Sequence, residues 1–184
     1  MMKQDDFRYR NTNEIDTFNR LYNLYYQKIY RFVYRLSGDP FETEDILQET
    51  FIRLDHCLRT KPDILDYITA WLYRVASNLW CNQAKRKQKH HEIVNEFGNN
   101  HQNHNSHSDN NVETRYIQTE KISSVRTIVK QLPTRDQILL MLYQDGLSYA
   151  EMAKVIKVKK TSIGKLLSRA IEKCAKKINE GEEK

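Results

Sequence analysis

The sequence predicts an all-α protein of two small helical domains joined by a flexible linker. Apolar residues recur at helical spacing over long stretches on both sides of the chain's middle. Only 5 glycines and 3 prolines punctuate 184 residues, too few for a β-rich fold with many tight turns. Between the periodic stretches lies a segment rich in Asn, His and Ser, with few apolar residues and no period. At 39% hydrophobic and 29% charged, a chain of this length can bury a real core.

The first domain spans residues 14–89. Ile15, Phe18, Tyr22, Tyr25, Ile29, Phe32, Val33 and Leu36 keep a helical period, and Ser37-Gly38-Asp39-Pro40 stops that helix. A second helix is expected from Phe41 to Leu58, with Ile46, Leu47, Phe51, Leu54 and Leu58 as its apolar stripe. Its other faces carry Glu42, Glu44, Asp45, Gln48 and Glu49, with no positive charge among them. The helix dipole accounts for acids in the first turn. Glu49 lies beyond that turn, and an acidic patch on a basic chain suits a positively charged partner. Residues 59–63 form a polar break with a proline. A third helix, about Tyr67–Lys87, turns Ile68, Trp71, Leu72, Val75, Ala76 and Leu79 inward and shows Arg74, Ser77, Asn78, Asn82, Lys85 and Arg86 on its other side. Three helices with short joins bury their stripes on one another.

Residues 90–117 form the linker and hold five of the six histidines. His101, His104 and His107 recur at a spacing of three, but they have no Cys partners and no ordered scaffold. Neither a metal site nor a cofactor is expected.

The second domain spans 118–178. Ile122, Val125, Ile128, Val129 and Leu132 form a short helix ending before Pro133. Thr134 and Gln137 make a capping-box pattern ahead of the apolar run Ile138–Leu142, and Gly146 ends that helix. Ser148 and Glu151 make a second capping box for a helix through Ile156, and Thr161–Lys177 forms the last helix. Two helices joined by a short turn, the second one basic, are the helix-turn-helix arrangement, here at about 148–167. Ala153 is small where the helices approach, and Ile163 packs the second helix back.

The net charge is +6, and its placement is informative. Residues 154–177 hold nine Lys/Arg against one acid, Glu172, and residues 85–89 add Lys85, Arg86, Lys87 and Lys89. Two concentrated basic sites on an otherwise acidic chain point to two footprints on a polyanion. Cys57, Cys81 and Cys174 lack metal-ligand spacing, and no apolar run nears the ~18 residues of a membrane span. A reducing, cytoplasmic setting is expected. No nucleophile–base pair, Gly-rich phosphate loop or coherent metal motif suggests an enzyme.

Four stretches together resemble the extracytoplasmic-function (ECF) class of bacterial RNA polymerase sigma factors: YYQKIYRFVYRLSGDPFETEDILQETFIRL, AWLYRVASNLWCNQAKRKQK, LPTRDQILLMLYQDGLSYAEMAKVI and TSIGKLLSRAIEKC. The resemblance covers nearly everything except the linker, and the order of the four is more specific than any one of them. It implies that 14–89 is sigma region 2 and 118–178 sigma region 4. It further implies docking on the β′ clamp helices of core RNA polymerase through Asp45, Gln48 and Glu49, with Glu44 and Phe51 beside them, and contact with the β subunit. Region 2 would melt and read the −10 element of promoter DNA through Arg59, Lys61, Arg74 and Asn78, with Lys85, Arg86 and Lys87 on phosphates. The last helix would read the −35 element through Lys160, Thr161, Ser162 and Lys165, with Arg169 and Lys173 on phosphates. The resemblance also implies an anti-sigma factor as partner.

Three positions depart from the family pattern. Asn82 stands where the family usually has Asp, Lys157 replaces the turn glycine, and Ser162-Ile163-Gly164-Lys165 replaces a TVKS-like start of the reading helix. About 28 flexible residues reach ~30 Å relaxed and ~90 Å at full stretch, enough for readers one or two duplex turns apart. Two other readings compete: a stand-alone helix-turn-helix regulator, which leaves the acidic helix unexplained, and a metal sensor built on the histidine linker.

Overall fold

A computed structural model describes residues 12–96 and 125–182, and the regular structure among them is helical. Helix α1, Thr12–Ser37, turns Leu21, Tyr25, Ile29, Phe32, Val33 and Leu36 into the core. Gly38 ends it with φ +75, where a side chain is disfavoured, and donates its N–H to the Tyr34 carbonyl at 2.9 Å. Helix α2, Pro40–Thr60, starts two residues after Gly38 because Asp39 caps it, its carboxylate accepting the Glu42 N–H at 3.0 Å. Proline at the first position costs α2 nothing, since that N–H has no helical partner. Thr43 and Thr50 are fully buried on α2, and each satisfies its hydroxyl by donating to the carbonyl four residues back at 2.7 Å.

A 3₁₀ turn, Pro62–Tyr67, plugs Ile64 into the bundle and leads into α3, Ile68–Glu96. Helix α3 therefore runs through residues 90–96, which the sequence assigned to the linker. Leu72 and Ala76 are fully buried on it, and Trp71 packs inward as expected. Trp80, not Leu79, is the buried residue of the next turn. Residues 97–124, including His101, His104 and His107, lie outside the described residues.

The second half begins with a helical segment, α4, at 125–130, followed by α5, Thr134–Gln144. The capping box expected at Thr134 is absent. Helix α5 starts at Thr134 itself, so Pro133 holds the cap position and offers no side-chain acceptor. Gln137 instead donates to the Lys130 and Leu132 carbonyls at 3.0 and 2.8 Å, tying α5 to the end of α4. Ser148 does form its box with Glu151 and opens α6, Tyr149–Ile156. Lys157 then takes the left-handed conformation, φ 56 and ψ 51, in place of a glycine. Helix α7, Lys160–Glu182, packs back through Ile163, Leu167 and Ala170 onto Leu139, Leu142 and Met152. The two halves also touch: α3 lies against α6, and α1 against α5. No described helix is long and apolar enough to cross a membrane.

Candidate docking face and nucleic-acid interface

The acidic face of α2 is only partly free. Asp45 and Gln48 are exposed, and their side chains have no hydrogen-bond partner among the described residues. Glu49 accepts from Arg53 at 2.7 Å, one turn along the same helix. Glu44 accepts the Tyr26 hydroxyl at 3.0 Å, and Glu42 pairs with Lys87 at 2.7 Å. Burial first, then the Glu44 carboxylate, pushes the Tyr26 phenol above its ordinary range. Phe51 is not on this face. It is 4% exposed, with its ring 4.8 Å from that of Tyr22, because the apolar stripe it belongs to points into the bundle. The exposed apolar groups there are Phe41 (83%) and Ile52 (63%), which sequence reasoning missed. Their spacing to Asp45 and Gln48, at i, i+4, i+7 and i+11, puts all four on one stripe.

On α3, Arg74 and Asn78 lie one turn apart, with Asn78 exposed. Arg74 sits in an open pocket of about 310 Å³ with Tyr67, Ala70 and Trp71. Lys154 of α6 closes one side, its ammonium 5.7 Å from the centre of the Tyr67 ring. Lys61 is exposed, and Arg59 is bound to Asp55 on its own helix. Lys85 and Arg86 are exposed, whereas Lys87 is the partner of Glu42. Burial pushes the Cys81 thiol up, with Lys85 opposing it.

At the start of α7, Lys160, Thr161 and Lys165 are exposed and Ser162 half-buried, so this end presents a basic, hydroxyl-bearing tip. Arg169 is exposed further along. Lys173, expected on a phosphate, donates to Asp136 at 2.6 Å. The Asp136 side chain is only 4% exposed, and a buried carboxylate needs a cation beside it more than DNA does. The one signal for this in the sequence was an acid placed just ahead of the apolar run of α5.

A second cluster joins the halves. Arg35 of α1 is ion-paired with Asp145, at the end of α5, and the Tyr73 hydroxyl of α3 donates to the same carboxylate at 3.0 Å. Burial, then the Asp145 charge, holds the Tyr73 phenol well above its ordinary range. Arg126 of α4 lies over the Tyr34 ring at 5.1 Å.

Comparison with known proteins matches residues 21–90 to Sigma-70 region 2 and residues 122–174 to Sigma-70 region 4. The chain is 25% identical over 170 residues to the ECF RNA polymerase sigma factor SigW of Bacillus subtilis, covering 90% of each protein. It is 26% identical over 174 residues to SigM of the same organism, covering 90% of this chain and 97% of that one. Among solved structures, its fold is similar to that of the sigma factor RpoE in complex with the anti-sigma factor NepR from Bartonella quintana. The TM-score is 0.66 at 15% identity, over 89% of this chain and 97% of that one. CnrH in complex with the cytosolic domain of CnrY gives a TM-score of 0.61 at 17% identity, over 88% and 87%. A family match beginning in α1 and spanning α2 and most of α3 disfavours a stand-alone helix-turn-helix regulator. The two matched regions together cover most of the chain, and the protein belongs to the ECF class of the sigma-70 family, factors that direct promoter-specific transcription.

Proposed function

We propose that α2 docks this sigma factor on the β′ clamp helices of core RNA polymerase through Asp45, Gln48 and Glu49, with Glu44 at the margin. The observation that carries this is the exposed pair Asp45 and Gln48 in a region-2 match, unpartnered on a basic protein. Region 2 reads the −10 element with Arg74 and Asn78, helped by Arg59 and Lys61, while Lys85, Arg86 and Lys87 follow the backbone. Lys87 must first release Glu42. Region 4 reads the −35 element with Lys160, Thr161, Ser162 and Lys165, and Arg169 takes a phosphate. The protein acts as a DNA-recognition subunit without catalysis of its own, in the cytoplasm where its polymerase is. An anti-sigma factor is a further proposed partner, as in the RpoE–NepR and CnrH–CnrY complexes.

The experiment is binding of the purified chain to core polymerase, native against Asp45→Ala/Gln48→Ala/Glu49→Ala. The triple variant is expected to bind at least about tenfold more weakly, since truncating a desolvated polar contact costs a few kcal/mol. Equal binding moves the docking surface elsewhere. No binding by the native chain, with DNA binding retained, overturns the reading.

A further inference from the structure

Lys28, Arg31 and Arg35 stand at i, i+3 and i+7 on α1 and share one face. They line an open cavity of about 450 Å³ between the two halves, beside the hydroxyls of Tyr25, Thr69 and Tyr73. Among the described residues, region 2 contributes no acid to the lining of this cavity. Lys28 lies over the Tyr25 ring at 5.4 Å, and Arg31 donates its Nε to the Gln27 carbonyl at 3.2 Å. The Arg35 Nε is buried without a partner. Among the described residues the one carboxylate bound to the strip is Asp145, which arrives from region 4, with Glu151 also on that wall. Three cations at helical spacing, interleaved with hydroxyls, suit a row of phosphates, which take charge-assisted and neutral hydrogen bonds alike. Thr69 and Tyr73 are also chain neighbours of Ala70 and Arg74, which line the adjacent pocket on α3.

We propose that Lys28, Arg31 and Arg35 form a phosphate-binding strip for a promoter DNA strand, and that Asp145 occupies it when the two halves are closed. This rests on the reading of region 2 as the −10 reader. In the closed form one carboxylate of region 4 stands where a phosphate binds, while Lys154 covers the Tyr67 end of α3. Opening exposes the strip and the α3 pocket together.

The test is fluorescence anisotropy of the full chain with a labelled single-stranded oligo(dT) at several salt concentrations. Asp145→Asn is expected to tighten binding about fivefold, the scale of a modest coupling between sites. Tyr73→Phe, which keeps the carboxylate and the packing, gives a smaller gain in the same direction. Adding Lys28→Gln and Arg31→Gln to Asp145→Asn abolishes the gain and flattens the salt slope by about 1.4, about 0.7 for each lost single-strand contact. The proposal is overturned if neither Asp145→Asn nor Tyr73→Phe changes binding. It is equally overturned if the lysine–arginine pair can be neutralised with affinity and slope unchanged. Lys85→Gln with Arg86→Gln separates the two readings: weaker binding there with a silent strip sinks the strip alone, and silence at both sinks the −10 assignment as well.

Discussion

Tyr73 keeps its proton where an unfolded tyrosine loses it. Burial and the Asp145 carboxylate raise its folded pKa above the unfolded value of ~10. Its contribution to stability is therefore complete below about pH 10 and is lost as pH rises through the folded value. Thermal melts between pH 9 and 11.5 should show the native chain losing stability faster than Tyr73→Phe, and parallel curves would contradict this. Residue roles were the least legible part of the sequence. The exposure of Asp45 and Gln48 was readable, because periodicity alone finds the outer face of a helix. Phe51 was placed beside them by the resemblance, although its spacing to Ile46, Leu47, Leu54 and Leu58 already set it on the stripe that the structure buries. Lys173 and Lys87 read as free cations because their partners Asp136 and Glu42 lie 37 and 45 residues away, too far for any local pattern to pair them.

At the scale of elements, local chemistry was a good guide wherever it was self-contained. Gly38 and Gly146 both have positive φ and follow helices, and the Ser148–Glu151 box forms within four residues. The Thr134 box failed because the chain before it is already committed to Pro133 and α4, and a helix starting one residue early removes its geometry. Helix α3 outran its apolar stripe, since helical propagation costs little once a core-packed segment has nucleated it. Lys157 is the element-scale position most open to improvement. A non-glycine residue in the left-handed region costs roughly 1–2 kcal/mol, so Lys157→Gly should raise stability by about 1 kcal/mol in a urea titration, after glycine's own entropy is subtracted. A loss of stability would mean that the lysine side chain makes a compensating contact.

In the whole molecule the halves meet through the packing of α3 on α6 and α1 on α5 and through a small polar cluster around Asp145. Arg35 and Asp145 are 110 residues apart, and no periodicity, cap or motif marks them as partners. The two domains could thus be read from their separate stripes, while their mutual packing could not. Small-angle X-ray scattering should give a larger radius of gyration for Asp145→Asn/Tyr73→Phe than for the native chain. An unchanged radius would assign the closure to the apolar contact of α3 with α6.

The Arg35–Asp145 pairing also limits how freely the two halves can be exchanged between relatives. A hybrid joining this region 2 to a region 4 without an acid at position 145 would fold each half from its own core. It would nevertheless lose the brace between them and leave Arg35 uncompensated beside Lys28 and Arg31. Recombination across the linker would then break this brace, and inheritance of the two halves as a matched set would follow from one half-buried ion pair.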